Sequence, residues 1–471
     1  MTLNSAPENL KMIAPKIQRD IVSAISIEII NTIIRDIGNS LFSILVDESR
    51  DISSKEQMAI VLRYVDKNGS VIERFVGIEH VTDTSALSLK AAIDGFFSRH
   101  GLSISKLRGQ GYDGASNMRG EFNGLKALIL KENESAFYVH CFAHQLQLAL
   151  VAVAKNHADI TGIFYWITYV VNVIGSSAKR HDILREKQAA KVFEALENNE
   201  ISSGQGLNQE TSLQRASDTR WGSHYNTILR MISMFSSIVE VLEMLIENGS
   251  NQEQKYEAKI LLNSIETFDF IFGLYLMKTI LGVTNELSQT LQKKDQDIVN
   301  AMNLVQTSKE RLQTMRDDGW DSCLNQVSSF CVKHRIRVIN MDDMFIPQGR
   351  SRRKTQEIKH MHHYQVDLFC AVIDMQLQEL NSHFPETNTE LLLCVACLSP
   401  MDQFYAFDKH KLIRLAQFYL RDYSLIKLLA LENQVDNYIA DMRSSIEFSE
   451  LNGLTELAQK MVEKKKIRFF H

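Results

Sequence analysis

Proline is scarce in this 471-residue chain, which has five, and glycine at 21 falls below its usual share. Both residues interrupt helices, so their scarcity argues for long helices over much of the chain. Six cysteines, at 141, 323, 331, 370, 394 and 397, are too few for a disulfide scaffold and fit a reducing compartment. Neither charge sign dominates: 52 Lys and Arg stand against 57 Asp and Glu, a net charge of -5. That balance excludes a wholly basic nucleic-acid coat while leaving room for a local basic groove. No charged segment followed by an apolar run opens the sequence, so a signal peptide is not expected. The most apolar stretch, Ile160 to Ile174, is interrupted by Thr161, Gly162, Thr168 and Asn172. It falls short of the roughly 18 clean residues that a membrane span needs, and the chain reads as soluble and intracellular.

What is present is ample core material. Apolar residues make up 45% and charged residues 23%, which is the balance of a folded chain rather than a disordered one. Its length corresponds to about three domains, or to one domain with a large insertion. Residues from about 41 to 155 mix strands with helices. Leu41 to Val46 is a short apolar run that opens into Asp47-Glu48-Ser49, as a buried strand does at a polar site. Gln57 to Asp66 and Val71 to Val81 are β-rich and flank Asn68-Gly69, a hairpin turn. Ser88 to Arg99 predicts an amphipathic helix stopped by Gly101. A strand leading to Asp113, a helix near 124–132, a strand over 136–140 and a helix over 145–155 complete the region. Three consecutive strands followed by α/β crossovers form a ribonuclease H-like arrangement: a mixed five-stranded sheet in which acids at the ends of the first and fourth strands meet.

Beyond 156 the pattern is helical. Thr227 to Glu247 predicts one long helix, and further helical segments fall near 254–292, 296–316, 364–384, 388–398 and 408–430. The polar stretch Asn198 to Thr211 and the basic loop Ile346 to Lys359 interrupt them. The predicted fold is therefore an α/β RNase H-like core interrupted by a large all-α insertion, and mostly helical overall. Its parts are an N-terminal helical segment (1–40), the core (41–155), the insertion (156–430) and C-terminal helices (431–471).

Asp47 and Asp113 are the first candidates for chemistry. Two carboxylates at neighbouring strand ends can hold two divalent cations about 4 Å apart, one activating a nucleophile and the other stabilising a leaving oxygen. Oxygen donors suit Mg²⁺ or Mn²⁺, and a third acid normally completes such a site. The plainer alternative is that Asp47 ends a strand and Asp113 makes a turn with Gly114. Cys141-x-x-His144 has no second ligand pair nearby in sequence, which favours packing at a strand-to-helix corner over zinc. Cys394 and Cys397 share an apolar helix face and read as core. His360-Met-His-His363 reads as a solvated helix start or as an adventitious metal site. Arg350, Arg352, Arg353 and Lys354, with the tail Lys464 to Lys466, are the clustered cations that a phosphate backbone or a nuclear-import receptor would take; a merely exposed charged loop reads the same way.

Four phrases occur in order: Leu45-Val-Asp-Glu-Ser-Arg-Asp51, Gly109-Gln-Gly-Tyr-Asp-Gly-Ala-Ser-Asn117, His140-Cys-Phe-Ala-His144 and Asp218-Thr-Arg-Trp221. Together they resemble hAT-superfamily DNA transposases. The nearest likeness is to the transposon-derived proteins of the zinc finger MYM-type 1-like and TTF-type zinc-finger kinds, over about residues 20–460. Leu391 to Pro400 with Phe407-Asp408 looks like that family's insertion region. The resemblance implies that Asp47 and Asp113 are the first two catalytic acids, and that Cys141 and His144 form the Cys-x-x-His motif. It implies further that Arg220 and Trp221 form the Arg-Trp motif, whose indole stacks on exposed DNA; such stacking contributes about 1–3 kcal/mol per base. Without the resemblance, Trp221 reads as a half-buried anchor at a domain boundary.

The family's third acid, a Glu in an Ala-x-x-Glu-Arg-x-Phe-Ser context, has no counterpart phrase, and the role is not carried onto Glu450, Glu456 or Glu463. No zinc-finger cysteines precede Cys141. The expectation is thus a protein truncated at both ends, with its dimerisation segment largely missing. It is catalytically incomplete and binds nucleic acid or protein, with an active Mg²⁺- or Mn²⁺-dependent DNA transposase or a domesticated protein-interaction module as the alternatives. DNA is the expected partner, with protein partners through the helical insertion and no membrane. The expected location is nuclear or nucleo-cytoplasmic.

Overall fold

A computed structural model describes residues 14–120, 122–198, 212–216, 222–249, 251–293, 298–346, 358–384 and 390–466. In chain order, α1 (Pro15–Ile37) precedes the strands β1 (Phe42–Arg50), β2 (Glu56–Val65) and β3 (Val71–His80). Then come α2 (Ala86–His100), β4 (Leu107–Tyr112), α3 (Ser116–Arg119), α4 (Leu125–Glu132), β5 (Phe137–His140) and α5 (Phe142–Asn156). The helical run continues with α6 (Ala158–Gly175), α7 (Ala178–Glu197), α8 (Gly222–Ser233), α9 (Phe235–Asn248), α10 (Gln252–Ile265) and α11 (Phe268–Leu291). α12 (Ile298–Asp318), α13 (Trp320–Lys333) and α14 (His360–His362) follow, the last passing through a π-helical stretch, His363–Cys370, into α15 (Ala371–His383). The remaining helices are α16 (Glu390–Ala396), α17 (Met401–Phe404), α18 (Lys409–Gln417), α19 (Leu425–Ser444), α20 (Ile446–Ser449) and α21 (Leu454–Glu463).

The described residues fall into two compact units. One comprises Met1–His144, Asp297–Val299 and Thr387–His471; the other comprises Gln145–Gln296 and Asn300–Glu386. These divisions lie near 145 and 387, where the sequence pattern places them at 156 and 430.

The first unit holds the expected mixed five-stranded sheet, in the order β3-β2-β1-β4-β5. β1 pairs antiparallel with β2, β2 antiparallel with β3, and the β1–β4 and β4–β5 pairs are parallel. Alternation along β1 buries Phe42, Ile44 and Val46 on one face, joined by Met58, Ile60, Leu62 and Tyr64 of β2. That face is covered by Ile33 and Ile37 of α1, Leu89, Ile93, Phe96 and Phe97 of α2, and Leu125 and Ile129 of α4. A buried hydroxyl must find a partner, and that of Tyr64 donates to Asp36 Oδ2 at 2.6 Å. α2 starts on Ser85, whose hydroxyl accepts from Ser88 N, and stops at Gly101 in the left-handed region (φ 66°), as the sequence predicts.

On the opposite face, Phe137 of β5 meets Phe418 and Tyr419 edge-on at ring separations of 5.6 and 5.3 Å. Beside them, Arg108 forks onto Asp422, with Nε donating to Oδ2 at 2.8 Å and Nη2 to Oδ1 at 2.6 Å. These contacts are why the segment after 387 belongs with the sheet. The segment from α16 to α21 adds small cores of its own, one around Phe404, Tyr438, Met442, Phe448 and Leu457 and another around Cys397, Leu412 and Val435.

The second unit is built on α11, whose Phe270, Ile271, Phe272, Leu274, Leu276 and Ile280 are all buried. Phe272 packs on Trp320 (5.9 Å) and Trp320 on Phe369 (5.6 Å). Tyr364, buried beside Phe268, donates its hydroxyl to Asp269. By length and composition alone, α6 could cross a membrane. Its Ile160, Ile163, Ile167, Val170, Val171, Val173 and Ile174 are buried within the unit, however, which is how a core helix reads. Two predicted helices are divided. The 227–247 stretch breaks at Met234, which leaves helical geometry at φ -104° and ψ 8°. The 254–292 stretch bends by 67° between Ile265 and Phe268, where the Thr267 hydroxyl caps Phe270 N at 3.2 Å.

Candidate functional site

β1 and β4 are neighbouring parallel strands, with Leu45 paired to Gly111. Two residues beyond that pair come Asp47, still within β1 and paired with Ala59 of β2, and Asp113, the first residue past β4, so Asp47 lies inside its strand rather than at its end as the sequence pattern predicts. The glycines of β4 let the two strands approach. A Cβ on Gly109 would lie 2.6 Å from Ser43 Oγ, and one on Gly111 would lie 2.7 Å from Leu45 Cδ2. The side chains of β1 therefore lean over a bare strand, and the Gly-x-Gly-x-Asp spacing is a packing requirement that ends in a carboxylate.

Asp47 is exposed and Asp113 half-buried. Asp113 Oδ1 accepts from Ala115 N at 3.1 Å, which shapes the strand exit, and its carbonyl accepts from the Tyr138 hydroxyl at 2.8 Å. Cys141 N donates to Tyr112 O at 3.1 Å, tying the start of α5 to the end of β4. Cys141 is exposed and unoxidised, and the His144 ring stands 5.8 Å from that of His140. The Cys-x-x-His phrase thus occupies the β5-to-α5 corner next to Asp113.

Glu48 is a member of the site that the sequence pattern does not single out. Its Oε1 accepts from Asn117 Nδ2 at 3.0 Å, and the same amide donates to Thr84 O at 2.7 Å. Burial pushes its pKa up, and the negative charge of Asp113 adds to that; Asn117 pulls it down, while Glu56 and Asp47 raise it further. Four carboxylates therefore share one field at this end of the sheet. The signal lay in the adjacency of Asp47 and Glu48 together with the Asn117 that closes the second phrase.

Asp47 and Asp113 offer the hard oxygen donors that Mg²⁺ or Mn²⁺ takes. Among the described residues, though, no group of three or more His, Cys, Asp and Glu side chains is placed to hold a metal ion. A two-metal centre normally takes a further acid in that place. The late acids do not fill it. Gly69, in the turn beyond β2 and so toward the Phe42 end of β1, lies against Ala458 of α21. On that helix Glu456 accepts from Asn452 N at 2.9 Å and Glu463 pairs with Lys460 at 3.1 Å, while Glu450 precedes it.

Of the other candidates, Lys464 pairs with Glu447 (2.5 Å) and Lys466 with Asp441 (2.6 Å), so two cations of the tail are already engaged. Cys394 and Cys397 are buried, and burial raises both thiols. His363 stacks on Phe345 at 3.8 Å, and His362 approaches Asp367 at 3.5 Å. Arg220, Trp221, Arg350, Arg352, Arg353 and Lys354 lie outside the described residues.

Residues 1–124 match the DUF4371 family model, described as the ZMYM1/FAM200, RNase-like domain. A human protein named 52 kDa repressor of the inhibitor of the protein kinase is 20% identical over 380 residues, covering 77% of this chain and 47% of its own length. Its mouse counterpart is 19% identical over 381 residues, with the same coverage. The chain thus spans about half the length of these curated relatives. It is similar to an RNase-like domain over the residues that carry β1 to β4, with β5 beyond the match, and distantly similar to these relatives along 77% of its length.

Proposed function

We propose that this chain is an hAT-type, transposase-derived protein that binds nucleic acid and whose acidic site is incomplete for strand cleavage. The observation that supports the reading is the parallel register of β1 on β4, Leu45 opposite Gly111, with Asp47 and Asp113 each two residues further on. In an RNase H-like arrangement that is where scissile phosphates are handled, and two acids without a third leave the ligand set for paired cations short. The capping of Asp113 by Ala115 N and the engagement of Glu48 by Asn117 suit a site that keeps its shape. What supports nucleic-acid binding is the ordered set of four phrases, including Arg220-Trp221, whose indole would stack on an unpaired base. The reading carries a nuclear location with it, which the fluorescence of a tagged full chain would check.

The test uses the purified full chain with Mn²⁺ and labelled hairpin or nicked DNA. The expected result is retention of the DNA with no cleavage product. Cleavage that disappears in Asp47→Ala would establish the active-transposase alternative instead, as would calorimetric Mn²⁺ binding lost in Asp113→Asn. Failure to retain DNA at low salt would sink the binding half of the reading.

A further inference from the structure

The second unit contains a groove of about 1000 Å³ lined by residues of α7, α8, α9, α11 and α13. Its charged lining is unbalanced. Lys191, Lys278 and Lys333 face Glu194, the one acid lining it among the described residues. Lys191 is held at 2.5 Å by Glu240, which also takes Lys187 at 2.7 Å. Among the described residues, Lys278 reaches the Gln326 amide oxygen, at 3.5 Å, and no carboxylate, and lies 5.0 Å from the centre of the Tyr275 ring. Lys333 makes no ion pair among the described residues. The C-terminal dipole of α13 supports Lys333 in part, whereas Lys278, in the middle of α11, has no such support.

A histidine sits in the same wall. His334 is packed 4.2 Å from Phe330 and 5.0 Å from Phe235, with Nδ1 3.2 Å from Ser236 Oγ. Burial lowers its pKa, and the charges of Lys333 and Lys191 lower it further. Two lysines without an ion pair among the described residues, around a concavity of this size, leave room and charge for an anion larger than a single phosphate. The Gln188 and Asn325 amides, which both donate and accept, and the Tyr275 ring give such an anion hydrogen-bonding and stacking surfaces.

We propose that this groove binds the phosphate groups of a nucleotide, either free or within a single strand, with Lys278 and Lys333 as the phosphate contacts. The amides and Tyr275 then meet the sugar and base. The single-strand form rests on the nucleic-acid reading above, and the free-nucleotide form does not.

The test compares the full chain with its Lys278→Gln/Lys333→Gln variant, using a fluorescent oligothymidylate, ATP and an oligoglutamate peptide as probes. The variant should lose affinity about tenfold or more for whichever nucleotide probe the wild type binds, as removal of charged hydrogen-bond donors does. For the strand, the slope of log affinity against log salt should also become shallower by about 0.7 for each phosphate-binding lysine replaced. Strand binding with no ATP binding assigns the groove to nucleic acid. ATP binding alone keeps the groove while the nucleic-acid reading fails. Equal binding by wild type and variant, binding of neither nucleotide probe, or binding of oligoglutamate as tight as that of either, overturns the proposal. A second readout needs no variant: saturating the wild-type chain with the bound probe should move the His334 ring resonances in NMR. Resonances that stay in place overturn it as well.

Discussion

Replacing Asp422 with alanine removes the carboxylate that receives the Arg108 fork. Arg108 would keep its two other bonds, from Nη1 to the carbonyls of Ser105 (2.8 Å) and Leu107 (3.0 Å), but its Nε and Nη2 would face a gap. The pair is neither buried nor free, with side-chain exposures of 15% for Arg108 and 31% for Asp422. Breaking a buried pair costs about 3–5 kcal/mol and a surface pair about 0–1 kcal/mol, so about 2 kcal/mol is expected here. For a unit of this size that is a fall of about 4–8 °C in melting temperature. The pH dependence follows from the charge. Hydrogen bonding from Arg108 holds the Asp422 carboxyl below the usual aspartate range, against the opposing effect of burial. The pair's contribution is therefore fully present above the ordinary aspartate pKa and is lost as pH falls through the depressed folded value. Differential scanning calorimetry of wild type and Asp422→Ala across that range reads both effects. A gap below about 1 °C at neutral pH, or one that persists undiminished into acid, would show that the segment after 387 is not fastened to the sheet in this way.

Three other outcomes are expected. A Cβ on Gly273 would stand 2.6 Å from Ile163 Cγ1, so Gly273→Ala should destabilise by about 1–2 kcal/mol despite the roughly 1 kcal/mol helix-propensity gain. The loss should turn into a gain in an Ile163→Ala background, and stabilisation by the single change in chemical denaturation would refute the close crossing. Glu48→Gln keeps an acceptor for Asn117 while removing a charge whose pKa is raised, so it should stabilise by about 0.5 kcal/mol at neutral pH. Because the folded state holds that proton more tightly than the unfolded chain, the advantage should vanish as pH falls below the ordinary glutamate range; a constant advantage in melting curves would contradict it. Asp47→Ala should leave DNA retention and melting temperature close to wild type, since its side chain is exposed, and loss of retention would make Asp47 a binding residue.

The sheet was legible because its strands announce themselves chemically. A short apolar run marks β1 and β-branched residues mark β2, the Asn68-Gly69 turn joins β2 to β3, and the glycines of β4 lead into Asp113. β1 runs past its apolar stretch, because Asp47 to Arg50 stay paired with β2 (Asp47 with Ala59, Arg50 with Glu56) and ladder hydrogen bonds do not require apolar side chains. Glu48 was hidden for a related reason: strand alternation sets it apart from Asp47, and its link to the site runs through Asn117. The breaks at Met234 and Thr267 carry no proline or glycine, and a capping threonine looks like any helical threonine until its hydroxyl is seen to accept. The docking of Phe418 and Tyr419 on Phe137 joins distant segments through three aromatic residues, which no periodicity reports.

Arg108 and Asp422 are 314 residues apart in sequence. A ribosome adding about 5–20 residues per second needs roughly 15–60 s to travel from one to the other. Throughout that interval the β1–β5 sheet can pair from local contacts, while Phe137 and the Arg108 guanidinium wait without the segment that covers them. The nascent protein therefore passes through a stage with an apolar aromatic patch open at a sheet face, in a cell crowded with other unfinished chains. Chaperone engagement would be concentrated in that window, and any slowing of synthesis across the helical unit would lengthen it.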